Sequence, residues 1–204
     1  MMGRPSNPDS DAILHLIKPN TVGAEIGVWM GNSSAKFLKK DIAELQLVDA
    51  WSVEPYKENS ESTYEEYLSK YAKVTGGANE RDFVDYYNWV HQGVVTRFSQ
   101  DVRVKVNRQN SIDFFKEYKG NKFDWIYIDG DHSKEGCLAD LEGCLQHMKK
   151  DGIILGDDYR WPFQNQGGKL NGKPGVTEAV DLFVAKHGFE KIQHGNIQYE
   201  IRIK

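Results

Sequence analysis

The 204-residue chain has few of the features that would place it in a membrane or an oxidising compartment. It contains 2 cysteines, and its apolar runs, such as 153–155, are only a few residues long, which excludes a transmembrane helix. The first residues include no apolar stretch typical of a secretory signal. Cys137 and Cys144 fall in one predicted helix, with Cα atoms roughly 10 Å apart, too far for a disulfide. We therefore expect a reduced, cytoplasmic protein.

The chain also lacks an excess of positive charge. Its 26 basic and 30 acidic side chains give a formal net charge of −4, which argues against nucleic acid as a partner, and we expect no membrane partner. An aromatic content of 12% argues against disorder. The length favours one domain, residues 1–204. A homo-oligomer is compatible with these features.

Predicted strands and helices alternate along the chain. The strands are 22–28, 46–49, 102–106, 123–128 and 153–156, and a terminal strand pair within 189–203 turns at 194–196. The helices are 11–17, one capped by Asn32 or Ser33, 133–150 and 176–187. This alternation indicates an open, mostly parallel α/β sheet with helices on both faces. Ligands bind such sheets beyond the carboxyl ends of the strands.

Residues 52–100 depart from this alternation. They contain two predicted helices, 60–73 and 80–98, separated by the glycines at 76 and 77. One interpretation is a solvated helical insertion, and the other is a cap over the functional site. In the second case the aromatic side chains that would line the site are Tyr64, Tyr67, Tyr86, Tyr87 and Trp89.

A glycine-bearing turn follows the first strand. Glu25, Gly27 and Gly31 form the pattern E-x-G-x-x-x-G before a helix, which permits a tight turn and close approach of the backbone to a ligand. The spacing differs from the G-x-G-x-x-G of dinucleotide-binding proteins. It resembles the first motif of class I S-adenosyl-L-methionine (SAM)-dependent methyltransferases, whose glycine loop holds the methionine part of SAM. A purely structural turn is the alternative.

Asp49 ends the second predicted strand and is followed by Trp51. An acidic side chain at this position can accept the ribose hydroxyls of a nucleoside, although an aspartate at a strand end is also a common turn residue. Since it follows the glycine turn by about twenty residues, we assign Asp49 and Trp51, with Ser33, to SAM binding.

Carboxylates follow two neighbouring strands. Asp129 comes after the fourth predicted strand, and Asp157 and Asp158 come after the fifth. Adjacent strands lie about 5 Å apart, so these three side chains can converge, and their mutual repulsion calls for a cation. Oxygen ligands suit Mg²⁺ first, with Mn²⁺ or Ca²⁺ as alternatives. The alternative is that the aspartates are helix caps and turn residues.

The segment from Ile128 to Ser133, with the strand that ends at Tyr159, resembles the macrocin-type O-methyltransferases, relatives of the catechol-type, metal-dependent enzymes. The resemblance covers residues 22–51 and 123–160. It implies a seven-stranded, Rossmann-like methyltransferase sheet with an antiparallel C-terminal strand, and Mg²⁺ on the three aspartates. It also places the catalytic base three residues after Asp129, at His132. An imidazole beside a metal suits proton removal from a hydroxyl, and a structural turn histidine is the alternative.

The positions of several further residues suggest contacts with the cofactor or the acceptor. Asn110 and Ser111 follow the third strand, where this fold places adenine, but both are also ordinary helix caps. Asp129 is assigned to the cofactor as well as to the metal. Trp161 either walls the acceptor site or packs in the core.

Together these features predict a SAM-dependent O-methyltransferase that uses Mg²⁺ and acts on a small-molecule hydroxyl, such as a sugar hydroxyl or a vicinal diol. A SAM-binding protein without turnover and a nicotinamide-dependent oxidoreductase are the alternatives. Methylation of protein or nucleic acid is disfavoured because no Asn-Pro-Pro-Tyr-like motif follows the fourth strand.

Overall fold

The computed structural model describes residues 11–58, 64–159 and 175–204, and its centre is one seven-stranded sheet. The strands are β1 (Val22–Ile26), β2 (Glu44–Asp49), β3 (Val104–Arg108), β4 (Phe123–Ile128), β5 (Met148–Gly156), β6 (Glu190–His194) and β7 (Gln198–Arg202). Their order is β3-β2-β1-β4-β5-β7-β6, and β7 is antiparallel to both of its neighbours. This confirms the predicted mostly parallel sheet with an antiparallel C-terminal strand.

Helices cover both faces of the sheet. They are α1 (Asn32–Leu38), α2 (Glu54–Glu58), α3 (Tyr64–Thr75), α4 (Glu80–Phe98), α5 (Ser111–Glu117), α6 (Lys134–Leu145) and α7 (Gly175–His187). One apolar core joins the sheet to α5, α6 and α7, and a second joins it to α1 and α4. No helix in the described part of the chain is long and apolar enough to span a membrane. Cys137 and Cys144 are both buried and free, as expected.

The carboxyl ends of β1 and β4 meet at the centre of the sheet, where the strand order reverses. Ile26 pairs with Ile128, and the Asp129 amide donates a 2.8 Å hydrogen bond to the Ile26 carbonyl. Gly27 has a φ of 85°, and a Cβ added there would lie 2.0 Å from the Asp129 carbonyl oxygen. A glycine is therefore required where the first turn touches the loop after β4.

Several predicted boundaries differ from the structure. The first helix is a short 3-10 helix, Leu14–Leu16, and β3 begins two residues later than predicted. The N-cap of α1 is Gly31, with a φ of 71° and no side-chain hydrogen bond, so neither Asn32 nor Ser33 is the cap.

The helix predicted for 133–150 ends at Leu145, because β5 already begins at Met148, which pairs with Phe123 of β4. Strand pairing thus overrides the helical periodicity of these residues. Ser133 caps this helix by accepting a hydrogen bond from the Gly136 amide.

The insertion has a small apolar core of its own. Val53, Tyr67, Leu68 and Phe83 are buried together, and the hydroxyls of Tyr67 and Tyr87 lie 2.9 Å apart. The predicted helix start at 60–63 lies outside the described residues, and the second helix matches the predicted 80–98. The insertion is therefore a packed helical unit attached to the sheet through α4.

We expect Gly27→Ala to destabilise the fold by on the order of 3 kcal/mol, because it combines an unfavourable φ with a backbone clash. The matched control is Gly76→Ala. Gly76 has a φ of 91° but open space around its Cα, so only the conformational cost of about 1–2 kcal/mol applies. Urea unfolding measures both free energies. Equal losses in the two variants would contradict the close contact at Gly27.

Candidate active site

The turn after β1 is held by the carboxylate of Asp49 at the end of β2. One oxygen, Oδ2, accepts hydrogen bonds from the amides of Val28 (3.0 Å) and Trp29 (2.8 Å), and Oδ1 accepts one from the Trp51 amide (2.7 Å). Burial raises the pKa of Asp49, and the three amide hydrogen bonds oppose the rise. A carboxylate accepts roughly four hydrogen bonds, so Asp49 retains capacity for about one ribose hydroxyl rather than two.

Trp51 completes this turn and is fully buried. Its indole Nε1 donates a hydrogen bond to the Trp29 carbonyl at 2.9 Å, and the backbone carbonyl of Trp51 accepts one from Arg108 at 2.8 Å. Trp29 and Trp51 both have positive φ values, 47° and 39°. The structure thus gives Trp51 a role in fixing the turn, and its buried indole does not line an open cofactor surface.

The acidic residue of the glycine motif points into the protein. Glu25 is 1% exposed, and burial raises its pKa well above the ordinary value, opposed by the hydrogen bond that the Ser34 hydroxyl donates to it. Ser33 is half-buried in the first turn of α1. Its neighbour Ser34 binds the motif's carboxylate, and contact of Ser33 with SAM stays a prediction.

The insertion contacts the glycine turn directly. Arg97 of α4 donates to the Met30 carbonyl at 3.1 Å, and a Cβ on Gly31 would lie 2.7 Å from the Phe98 ring. The indole of Trp29 donates to the Tyr86 hydroxyl at 3.0 Å. Of the predicted lining residues, Tyr86 therefore bonds to the turn, whereas Tyr67 lies in the insertion's own core.

Three side chains converge beyond the ends of β4 and β5. Asp129, His132 and Asp158 each offer a ligand atom, and these atoms all lie within 4.8 Å of one another. His132 Nε2 lies 3.3 Å from Asp129 Oδ1 and 3.2 Å from Asp158 Oδ2. We call these three residues the carboxylate–histidine cluster.

Asp157, the third predicted metal ligand, is not part of this cluster. Its Oδ2 accepts a 3.0 Å hydrogen bond from the Tyr127 hydroxyl, and its Oδ1 accepts one from the Asp158 amide at 2.9 Å. Each oxygen thus makes one hydrogen bond within the protein. The structure brings together two of the three predicted aspartates and adds the histidine.

The electrostatics of the cluster favour a positive ion. Burial opposes the charged form of His132, but its hydrogen bond to Asp129 and the charges of Asp158 and Asp129 outweigh this and raise its pKa to about 9. More than half of the side chain, 56%, remains exposed. Burial, followed by the charge of Asp129, raises the pKa of Asp157 to about 7. Two carboxylates open to solvent, with an imidazole beside them, fit a site for a divalent cation.

The residues expected at the adenine are engaged in local structure. Asn110 caps α5 by accepting a 2.8 Å hydrogen bond from the Asp113 amide. The Ser111 hydroxyl donates to Asp140 of α6, a carboxyl group that is 3% exposed. Both residues lie at the carboxyl edge of the sheet, where an additional contact with adenine is compatible with these hydrogen bonds. That contact stays a prediction. Trp161 lies outside the described residues.

Sequence reasoning missed Asp140, although a signal was present. Asp140 lies between Cys137 and Leu141 on the apolar side of α6, where a carboxyl group is unusual. Burial raises its pKa to about 7, opposed by the Ser111 hydrogen bond and assisted by the charge of Asp131.

Residues 24–159, two-thirds of the chain, match a family model described as a methyltransferase domain. The chain belongs to this methyltransferase family. The match spans β1 to the end of β5 and thus includes the glycine turn, Asp49 and the carboxylate–histidine cluster. A comparison with curated proteins finds no match.

Solved structures share the fold of this methyltransferase. One, from Staphylococcus aureus, is assigned as a caffeoyl-CoA O-methyltransferase, with a TM-score of 0.63, 15% identity, and coverage of 99% of this chain and 86% of that one. An O-methyltransferase from Bacillus cereus in complex with SAH has a TM-score of 0.57 and 18% identity. The match covers 100% of this chain and 84% of that one. The N-methyltransferase NodS from Bradyrhizobium japonicum has a TM-score of 0.56 and 11% identity. The match covers 97% of this chain and 98% of that one. The fold therefore accommodates different acceptor atoms.

We expect the buried Asp140 to make stability depend on pH. Its pKa is about 7 in the folded protein, against an ordinary value of 3.8. The folded chain therefore keeps this proton to a higher pH than the unfolded chain does. Between about pH 4 and 7 the free energy of unfolding then falls as pH rises. In Asp140→Asn this contribution is absent. Measured by urea unfolding, its free energy of unfolding should fall less between pH 5 and 8 than that of the wild type. An unchanged pH dependence would show that Asp140 ionises normally.

Proposed function

We propose that this methyltransferase transfers the methyl group of SAM to a hydroxyl of a small molecule, with a divalent cation beside the acceptor. The observation that carries the proposal is the convergence of Asp129, His132 and Asp158 within 4.8 Å, at the edge where the glycine turn also lies. This arrangement supports a cofactor and an ionisable acceptor held side by side.

The residues at the end of β1 and β2 fit SAM. The turn from Gly27 to Gly31 lies at the carboxyl edge of the sheet, and Asp49 has capacity for about one more hydrogen bond. Asn110 and Ser111 are the residues we propose for the adenine. When bound, SAM supplies an electrophilic methyl group. The role of these side chains is to bind and orient it.

The cluster fits a divalent cation through the chemistry of its donors. Asp129 and Asp158 supply carboxylate oxygens, the ligands preferred by Mg²⁺, Mn²⁺ and Ca²⁺, and Asp157 adds negative charge beside them. When bound, the cation supplies Lewis acidity that lowers the pKa of a neighbouring hydroxyl.

His132 is the proposed base. Its Nε2 lies 3.3 Å from Asp129 Oδ1 and 3.2 Å from Asp158 Oδ2, so the imidazole stands beside the two carboxylates that would hold the cation, where an acceptor hydroxyl would ionise. It must be neutral to accept a proton, and a positive charge nearby favours the neutral ring. A proton then moves from the hydroxyl to Nε2, leaving the oxygen free to attack.

The proposed acceptor is a small molecule such as a sugar or a vicinal diol, with neither nucleic acid nor a membrane as a partner. The net charge of −4 supports this choice. Since the family is established, the oxidoreductase is no longer an alternative. A protein that binds SAM without turnover is the remaining one, and a cytoplasmic location stays part of the proposal.

SAM and its demethylated product SAH should both stabilise the protein. A ligand at a hundredfold excess over its dissociation constant adds about 2.7 kcal/mol to the free energy of unfolding. Thermal unfolding with and without ligand measures the effect. Asp49→Ala should reduce the response, whereas Asp85→Ala, on the exposed surface of α4, should retain it. Absence of a response to both compounds in the wild type would contradict the proposed cofactor.

Methyl transfer should require a divalent cation and His132. SAH release with a panel of sugars and vicinal diols should stop in excess chelator and resume with Mg²⁺ or Mn²⁺. His132→Ala should lower turnover by ~10²–10⁴ and retain SAM and cation binding. The exposed His15 offers a control, since His15→Ala should behave as the wild type.

Three results would change this assignment. Full turnover in excess chelator would remove the cation from the proposal. Loss of cation binding in His132→Ala would make the imidazole a ligand rather than the base. SAM binding without transfer to any acceptor in the panel would favour the non-catalytic alternative.

A further inference from the structure

A chain of buried polar groups runs from the start of the described protein to the carboxylate–histidine cluster. The Ile13 amide donates to Gln198 Oε1 at 3.2 Å, and Gln198 Nε2 donates to the Tyr127 hydroxyl at 3.4 Å. The Tyr127 hydroxyl donates to Asp157 Oδ2 at 3.0 Å, and Asp157 Oδ1 accepts the Asp158 amide at 2.9 Å. We call this series the Tyr127 chain.

Tyr127 is fixed within the core. It lies on the same face of β4 as Trp125, is 2% exposed, and packs edge-on against Phe37 with ring centroids 5.1 Å apart. It pairs with Leu155 of β5, so its ring extends along the strands toward Asp157. A hydroxyl has a single proton to donate. Because Gln198 donates to the Tyr127 oxygen, that proton is directed at Asp157.

The last bond of the chain acts on the backbone of Asp158. This residue has a φ of 59°, a left-handed conformation that is uncommon outside glycine. The Asp157 carboxylate holds the Asp158 amide in that conformation, and Asp158 Oδ2 then lies 3.2 Å from His132 Nε2. The direction of the Asp158 side chain thus depends on how Asp157 is held.

We propose that Tyr127 is a positioning residue for the divalent-cation site, acting through Asp157 to align Asp158 with Asp129 and His132. The inference rests on the proposed function, which places the cation at this cluster. Tyr127 itself does not contact the reacting atoms. Partners that orient ligands in this way typically contribute 10–100-fold to metal affinity.

The test measures Mn²⁺ binding by calorimetry on chelator-treated protein, without acceptor, so that activity is not the readout. Tyr127→Phe keeps the ring and removes the hydroxyl, and its dissociation constant should rise 10–100-fold. Tyr199→Phe is the matched control: Tyr199 is also fully buried, on β7, and its hydroxyl takes no part in the Tyr127 chain. Mn²⁺ affinity in this variant should equal that of the wild type, and SAM binding should be unchanged in both.

A double-mutant cycle separates positioning from a general loss of stability. If Tyr127 acts through Asp157, adding Tyr127→Phe to Asp157→Asn should lower Mn²⁺ affinity much less than it does in the wild type. Independent, multiplicative losses would overturn the proposal. So would equal affinities of wild type and Tyr127→Phe, or an equal loss in Tyr199→Phe. If the wild type binds no Mn²⁺, the proposed cation site itself is wrong.

Discussion

The close contact between Gly27 and the backbone of Asp129 determines the geometry of this methyltransferase. It places the turn after β1 directly against the loop after β4, with no side chain between them. The residues proposed to bind the cofactor and those proposed to ionise the acceptor therefore belong to one rigid edge of the sheet. Because β1 and β4 are central and parallel, with α1 on one face and α6 on the other, neither loop can shift without disturbing the core.

The acidic residues at this edge fall into two groups. Asp49, Asp140 and Asp157 point inward, where each accepts hydrogen bonds from a backbone amide or a hydroxyl, and burial raises the pKa of all three. Asp129 and Asp158 point toward His132 and remain accessible to a ligand. The inward carboxyl groups hold the loops, and Asp49 among them keeps capacity for about one further hydrogen bond. The outward carboxyl groups are accessible to a ligand. The positions of the outward acids thus depend on inward acids that hold the loops in place.

Hydrophobic patterning was sufficient to predict the order of the strands along the chain, and β4 was predicted to the residue. It also located the aspartates at strand ends, since these positions follow directly from the strands, whereas the resemblance to macrocin-type O-methyltransferases pointed to His132. Patterning could not show which way each carboxylate points. The orientation of Asp157 is set by Tyr127, 30 residues away, and that of Asp158 by a left-handed φ. The helix predicted to reach 150 ends early for the same reason, because pairing with β4 decides the conformation of Met148.

The position of β7 has a consequence for how the protein is made. This strand lies between β5 and β6 in the sheet, yet it follows both of them in the sequence. Gln198 at its start bonds to Ile13, 185 residues earlier. During synthesis on a ribosome, β1 to β5 emerge well before their antiparallel neighbour, and contacts of such high sequence separation form slowly. The edge of β5, including the residues that lead to Asp157, therefore stays unpaired in the nascent chain until its final strand has left the exit tunnel.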